Sequence, residues 1–369
     1  MSDRLSADYV LDEANNRVLC TVHVYDNALL GHAAELRLVR RVEVRDRRPV
    51  NASETLFTRK IPSLAQTNQF EMHRSSLQAY SYHGSMIDVE IHTEIEIDDG
   101  MIFDTTVTEK ENLALAEKPV ISEDAKGVVE PSDAFDFIAN FKAIPPKNKM
   151  ITAVLMLVAG LIIGINSLVG VHDQFSPDHA VWFYDHRDSD GDSESPLQKS
   201  LVGSGVLGAA VWLAIRQQLR KYMSFELCNV PGQIRRHDTI RAAEMLRGRA
   251  RVDLHNVILR VVACNMEKGK YKRGSGTKER TVSFTEPVRA VVLYDQRISL
   301  IPADAPVESY FSGEIAFEPM FAALYPPQMI GSGHGVALHW EVQLIHDEFV
   351  DQELVCPAGC FSWRDFLEA

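Results

Sequence analysis

The chain has 369 residues and a net charge of −13, with 46% hydrophobic and 24% charged residues. Its length fits two domains of about 150 residues, and its composition is that of folded protein. The acidic balance argues against a protein that works by neutralising nucleic-acid phosphates, and five cysteines are too few for a disulfide scaffold.

Residues 1 to about 140 read as β structure. Arg17 to Tyr25 alternates apolar and polar, and so does Ile87 to Ile97, where Ile87, Val89, Ile91, Thr93, Ile95 and Ile97 share one face. Asp98-Asp99-Gly100 supplies a turn before Met101 to Val107, which completes a hairpin pattern. Residues 118 to 147 contain prolines and acids and read as a linker, with a short helix near Asp133 to Phe141.

Two apolar runs follow. Met150 to Val171 is 22 residues without a charge, and its helix of about 33 Å is long enough to cross a hydrocarbon core. Ser200 to Ile215 is also uncharged, about 24 Å of helix, and Leu197 with snorkelling Lys199 and Arg216 extends it. Lys142, Lys147 and Lys149 precede the first run, Arg216, Arg220 and Lys221 follow the second, and His172 to Lys199 between them holds seven acids and two bases. The positive-inside rule therefore predicts a transmembrane hairpin with both termini in the cytoplasm and a short acidic loop outside. Trp182, Phe183 and Tyr184 are placed to rest at the outer interface. Small residues recur at helical spacing: Gly160 and Gly164 on the first span, Ser204 and Gly208, and Gly205 and Ala209, on the second. Such steps let helices approach closely in lipid. They serve either packing within one hairpin or contact between copies, which would make a homo-oligomer.

The β pattern resumes after the second span. Asp238 to Arg247 reads as a short helix or tether, and Ala250 to Leu254, Val257 to Cys264, Arg280 to Phe284 and Val288 to Tyr294 read as strands of another antiparallel sandwich. The expected domains are thus 1–140, a hairpin over 141–222 with spans near 150–171 and 200–216 and an external loop 172–199, and 223–369.

The two halves repeat. Phe70 to Ile97 aligns without a gap on Phe317 to Leu344, with eight identities in 28 positions, among them Gly84/Gly331, Val89/Val336, His92/His339 and Glu94/Glu341. Duplication of one sandwich is the reading this supports. The segments FEMHRSSLQAYSYHGSMIDVEIHTEIEI and FEPMFAALYPPQMIGSGHGVALHWEVQL resemble the arrestin-like fold. Tyr80-Ser81-Tyr82-His83-Gly84 is similar to the Ser-Tyr-x-Gly segments of bacterial sporulation-control arrestin-like proteins and of the arrestin-like subunit of retromer; Tyr325-Pro326-Pro327 in the second copy departs from it. The resemblance implies a mainly β fold of two antiparallel β-sandwich lobes flanking the hairpin, and an adaptor or scaffold role. With the absence of another targeting signal, it also implies a bacterial cytoplasmic membrane.

Candidate sites are few. Asp188, Asp190, Asp192 and Glu194 alternate in the external loop as in calcium loops, although Ser193 and Lys199 stand where an EF-hand wants Gly and Glu. The expectation there is a solvated acidic loop, with weak calcium binding as the sharper alternative. His172, His179 and His186 each adjoin an aspartate and read as exposed interface histidines, with zinc or copper binding as the sharper alternative. Cys356 and Cys360 have no second pair, and Cys20, Cys228 and Cys264 are isolated, so reduced structural thiols are expected. Lys268, Lys270, Lys272, Arg273, Lys278 and Arg280 cluster around Gly269, Gly274 and Gly276 in a flexible hairpin tip. The expectation is a solvated turn, with contact to anionic lipid headgroups, an acidic partner or nucleic acid as the sharper alternatives. No nucleophile elbow, P-loop, dinucleotide fingerprint or HExxH is present, so no enzyme and no cofactor are expected. The expected function is a membrane-anchored adaptor or scaffold that recruits a protein partner. An oligomeric pore or channel-like assembly is the alternative, and an extracytoplasmic cation sensor a weaker one.

Overall fold

A computed structural model describes residues 4–12, 14–45, 50–98, 105–111, 113, 115, 118, 136–183, 195–331, 333–346, 349–354 and 358–367. The chain is mainly β, with several antiparallel sheets and two long apolar helices between them.

In the amino-terminal lobe, Leu5–Asp12 (β1), Arg17–Val24 (β2) and Thr67–His73 (β5) form one sheet in the order β1-β2-β5. Ala33–Val44 (β3), Ala52–Ile61 (β4), Tyr82–His83 (β6), Ile87–Asp98 (β7) and Thr105–Glu111 (β8) form a second in the order β4-β3-β7-β6, with β8 also on β7. The alternation of Ile87 to Ile97 turns that set inward; Ile91, Ile95 and Ile97 meet Val18, Cys20 and Val22 from β2 in one core, while Ile87 and Val89 join a second cluster. Two sheets packed by their inner faces are what period-two patterning on both requires.

In the carboxyl-terminal lobe, Leu254–Arg273 (β12), Arg280–Ile301 (β13), Gln328–Ile330 (β15), His334–His346 (β16) and Phe349–Leu354 (β17) form a sheet ordered β13-β12-β16-β15, with β17 also on β16. This repeats the strand order of the amino-terminal sheet. The duplicated sequence has a structural counterpart: β5, the turn helix Arg74–Leu77 (α1), β6 and β7 on one side, and Glu314–Ala316 (β14), the helix Glu318–Ala323 (α6), β15 and β16 on the other. Tyr222–Leu227 (β9) pairs with Leu246–Ala250 (β11), and Thr239–Arg241 (β10) with β14. A core around Trp340, Phe317, Phe321 and Leu338 fills this lobe.

Several boundaries differ from the sequence reading. Arg280 to Phe284 and Val288 to Tyr294 belong to one strand, β13. Pro287 does not break it because β13 is an edge strand and Pro287 stands opposite Met266 at a register shift, where one ladder bond is already missing. Ala250 to Leu254 is instead a break, since β11 ends at Ala250 and β12 starts at Leu254. Asp238 to Arg247 divides into β10, the short helix Ala242–Met245 (α5) and the start of β11.

The helix Phe137–Ala143 (α2) is capped by Asp136, whose carboxylate accepts from the amides of Ile138 and Ala139 at 2.8 and 3.1 Å. Pro146–Phe175 (α3) and Pro196–Leu219 (α4) contain the two apolar runs, and both are long and apolar enough to cross a membrane. The carboxyl-terminal helix Trp363–Leu367 (α7) packs near the junction of the lobes.

Candidate functional site

Three features hold the molecule together as one body: the hairpin, its joint to the carboxyl-terminal lobe, and the seam between lobes.

The hairpin is zipped by polar groups at one level. The amide nitrogen of Asn166 donates to the Ser200 carbonyl at 2.9 Å and to Ser204 Oγ at 2.8 Å, while Ser200 Oγ donates to the Asn166 carbonyl at 2.8 Å. A Cβ on Gly170 would lie 2.3 Å from that of Ser200, so glycine is required there for the close approach. Of the small residues singled out from sequence, Ser204 joins this contact, and Gly208 lies near Ile163. Gly160, Gly164 and Gly205 face open space, so their faces are free of packing within the hairpin. Beyond the spans, the carboxylate of Asp173 accepts from the backbone amides of Val181, Trp182 and Phe183 at 2.8, 3.0 and 2.9 Å, and from His172 Nδ1. This turn leaves Phe175, Val181 and Trp182 exposed at the end of the hairpin, an arrangement suited to a membrane interface. At the opposite end Phe137 stacks on Trp212 with ring centroids 6.1 Å apart, which lays α2 against α4.

The second span runs into the carboxyl-terminal lobe without a spacer. α4 ends at Leu219 and β9 starts at Tyr222, a fully buried residue. Arg251 caps the join: its guanidinium donates to the carbonyl of Gln218 at 2.6 Å and to those of Gln217, Arg220 and Met223 at 3.4 Å. The last carbonyls of a helix lack intrahelical partners and carry partial negative charge, so a cation from the lobe satisfies both needs.

The seam uses the segment that carries the family resemblance. Glu267 on β12 is fully buried and reaches into the amino-terminal lobe. Its Oε1 accepts from Tyr82 Oη at 2.7 Å and Ser85 N at 2.9 Å, and its Oε2 accepts from Met86 N at 2.6 Å and Ser85 Oγ at 3.1 Å. A Cβ on Gly84 would stand 1.9 Å from Oε1, so the motif glycine makes room for the clasp. Beside it, the side chain of Gln328 receives Tyr80 N and donates to Tyr80 O, both at 2.8 Å. Tyr80 stacks on Tyr325 at 5.7 Å, and Arg289 lies 5.0 Å from the centroid of the Tyr325 ring. Val42, Val44, Ile87 and Val89 close the seam against Ile330 and Val336. Tyr80 to Gly84 and its repeat counterpart therefore meet face to face.

Of the basic residues predicted at the hairpin tip, Lys272, Arg273, Lys278 and Arg280 are exposed there, and Lys272 pairs with Glu279 at 2.9 Å. Lys268 and Lys270 are half-buried lower on β12. The arm is anchored: Val50 N donates to Lys270 O, and Tyr271 and Phe284 pack on the seam cluster. β12 begins just after Arg251 and runs 20 residues to Arg273, so the tip stands about 60 Å of strand from the helix end. Asp188, Asp190, Asp192, Glu194, His186 and Cys356 lie outside the described residues. Among the described residues no group of three or more His, Cys, Asp or Glu is placed to hold a metal.

A buried polar group lies inside the amino-terminal lobe. Thr93 Oγ1 donates to Glu111 Oε1 at 3.0 Å and lies 2.8 Å from the Tyr9 hydroxyl. Burial pushes the Glu111 carboxyl up to about 7, with Glu109 and Asp8 adding repulsion. Burial likewise raises the Cys20 thiol to about 11.

Sequence reasoning missed Glu267, Arg251, Gln328 and Asp173. Glu267 stood inside the basic run and was masked by its neighbours; its signal was a lone carboxylate at an inward position of an alternating strand.

No family model and no curated protein matches the chain. Among solved structures, the sporulation control protein Spo0M of Bacillus subtilis is similar at 19% identity over 30% of this chain and 50% of that one, with a TM-score of 0.22. A Salmonella alpha-2-macroglobulin reacted with methylamine matches at 9% identity over 98% of this chain and 17% of that one, also with a TM-score of 0.22. The chain thus spans half or less of the length of these structures, and at such scores neither likeness carries an argument about fold or function.

Proposed function

We propose that the chain is a membrane-anchored adaptor or scaffold, built from two arrestin-like lobes, that presents a rigid β body to a protein partner on the cytoplasmic side. The observation that carries this reading is the continuous mechanical path from bilayer to tip. The Arg251 cap fixes α4 to the carboxyl-terminal lobe, and the Glu267 clasp fixes one lobe to the other. Such a body holds its surfaces at a set height and orientation, which suits recruitment more than catalysis. The distance of the basic tip from the helix end favours an acidic protein partner over lipid headgroups for Lys272, Arg273, Lys278 and Arg280. The pore reading receives less support, because Asn166, Ser200 and Ser204 satisfy one another within one hairpin.

Crosslinking in native membranes, followed by purification and mass spectrometry, tests the reading. A cytoplasmic protein recovered with the wild type, and lost when Lys272, Arg273, Lys278 and Arg280 are all changed to Glu, supports it. Recovery of self-crosslinked species alone, together with ion flux in liposomes, would replace it with the pore.

A further inference from the structure

The sheet of the carboxyl-terminal lobe has a second face, opposite its core, that the adaptor reading does not use. On β16 that face carries His339 and Glu341, and on β12 it carries Cys264, Met266 and Lys268. Register places Cys264 directly opposite His339, so their Cβ atoms are about 4.5–5.5 Å apart. Met266 lies two residues along the same face and packs on the cluster that Cys264 forms with Ala290.

The imidazole is the anomaly. His339 is only 9% exposed, yet among the described residues neither Nδ1 nor Nε2 has a hydrogen-bond partner. A buried ring with both nitrogens unsatisfied has given up its water for nothing, which points to a ligand that completes it. We propose that Cys264, Met266 and His339 form a site for a soft monovalent d10 cation, copper(I) in the cell.

The donor chemistry selects that class. Thiolate and thioether sulfur with an imidazole suit copper(I), which is content with two or three ligands. Zinc wants four, and no third His, Cys, Asp or Glu is grouped with this pair among the described residues. Burial holds His339 down at about 4, so the ring is neutral and available at physiological pH. Burial holds the Cys264 thiol up at about 12, so the ion must displace its proton: Cu⁺ adds to sulfur and one H⁺ leaves. Glu341 adds negative charge near the thiol, and Lys268 opposes the site. Met266 and Lys268 on the same face are half-buried.

The test uses full-length protein in detergent, reduced and anaerobic, titrated with copper(I) against a chromophoric chelator. The expected result is one more equivalent bound by the wild type than by Cys264→Ser or by His339→Leu, and at least tenfold weaker binding in Met266→Leu. Affinity should rise about tenfold per pH unit between pH 6 and 8, as one released proton requires. Ions held by Cys356 and Cys360 are common to all variants and cancel. Circular dichroism confirms that each variant is folded, and Cys264→Ala replaces Cys264→Ser if the latter is not. Equal stoichiometry in wild type and Cys264 variants overturns the site. Tighter binding of zinc than of copper(I) at the same residues overturns the soft-ion assignment.

Discussion

Glu111 and Gly84 are the residues whose environment makes the sharpest forecasts. Glu111 has an ordinary value of 4.5 and is held near 7 by burial. Between those values the unfolded chain has lost this proton while the folded chain keeps it, so stability falls as pH rises through the window and the loss is complete above it. The shift corresponds to about 2–3 kcal/mol. Glu111→Gln should match the wild type near pH 4 and exceed it by that order at pH 8, measured by thermal unfolding in detergent. Gly84→Ala should destabilise the seam by about 1–3 kcal/mol, because Cβ would collide with a carboxylate that has nowhere to go. Glu267→Gln keeps the shape but sets an amide N–H against backbone donors, and should cost about 2 kcal/mol. Limited proteolysis between the lobes would register both changes.

At the scale of elements, the joints matter more than the strands. The end of α4 is stabilised by Arg251 rather than by a glycine cap. Arg251→Ala should release four carbonyls and cost about 1–3 kcal/mol, read as faster amide exchange at residues 217–223 with β12 unaffected. If exchange there does not change, the cap is not what fixes the lobe to the hairpin. Within the hairpin, Gly170→Leu should force the spans apart at the level of Ser200. Paired spin labels near that level would report a longer distance. Gly160→Leu, on an open face, should leave the distance unchanged.

For the whole molecule, the duplicated order of strands builds two lobes whose equivalent segments face each other across the seam. That arrangement places Cys228 and Cys360, both half-buried, on the lobe side of the hairpin. On the proposed topology, a membrane-impermeant maleimide should label these thiols only in inverted vesicles, while a cysteine introduced at Asp178 should react from outside. Labelling with the reverse pattern would invert the topology and with it the adaptor reading.

The two long apolar helices, the β character of both halves and the repeated strand order were legible in the residues, because each rests on a local pattern: an uncharged helical run, a period of two, a constant offset. The short helix read near Asp133 to Phe141 is found at Phe137–Ala143, while residues 133–135 lie outside the described residues. Pro287 misled because sequence cannot tell an edge strand, where proline is harmless, from a central one. Glu267, Arg251, Gln328 and the bare imidazole of His339 were illegible because their meaning comes from partners 28 to 248 residues away in the chain or from the lack of one among the described residues. The sequence by itself determined the mainly β character of the chain and two helices long and apolar enough to cross a membrane. Only the tertiary structure decided that the copies clasp each other, because a buried carboxylate is a liability until four donors converge on it, and convergence is a property of the fold.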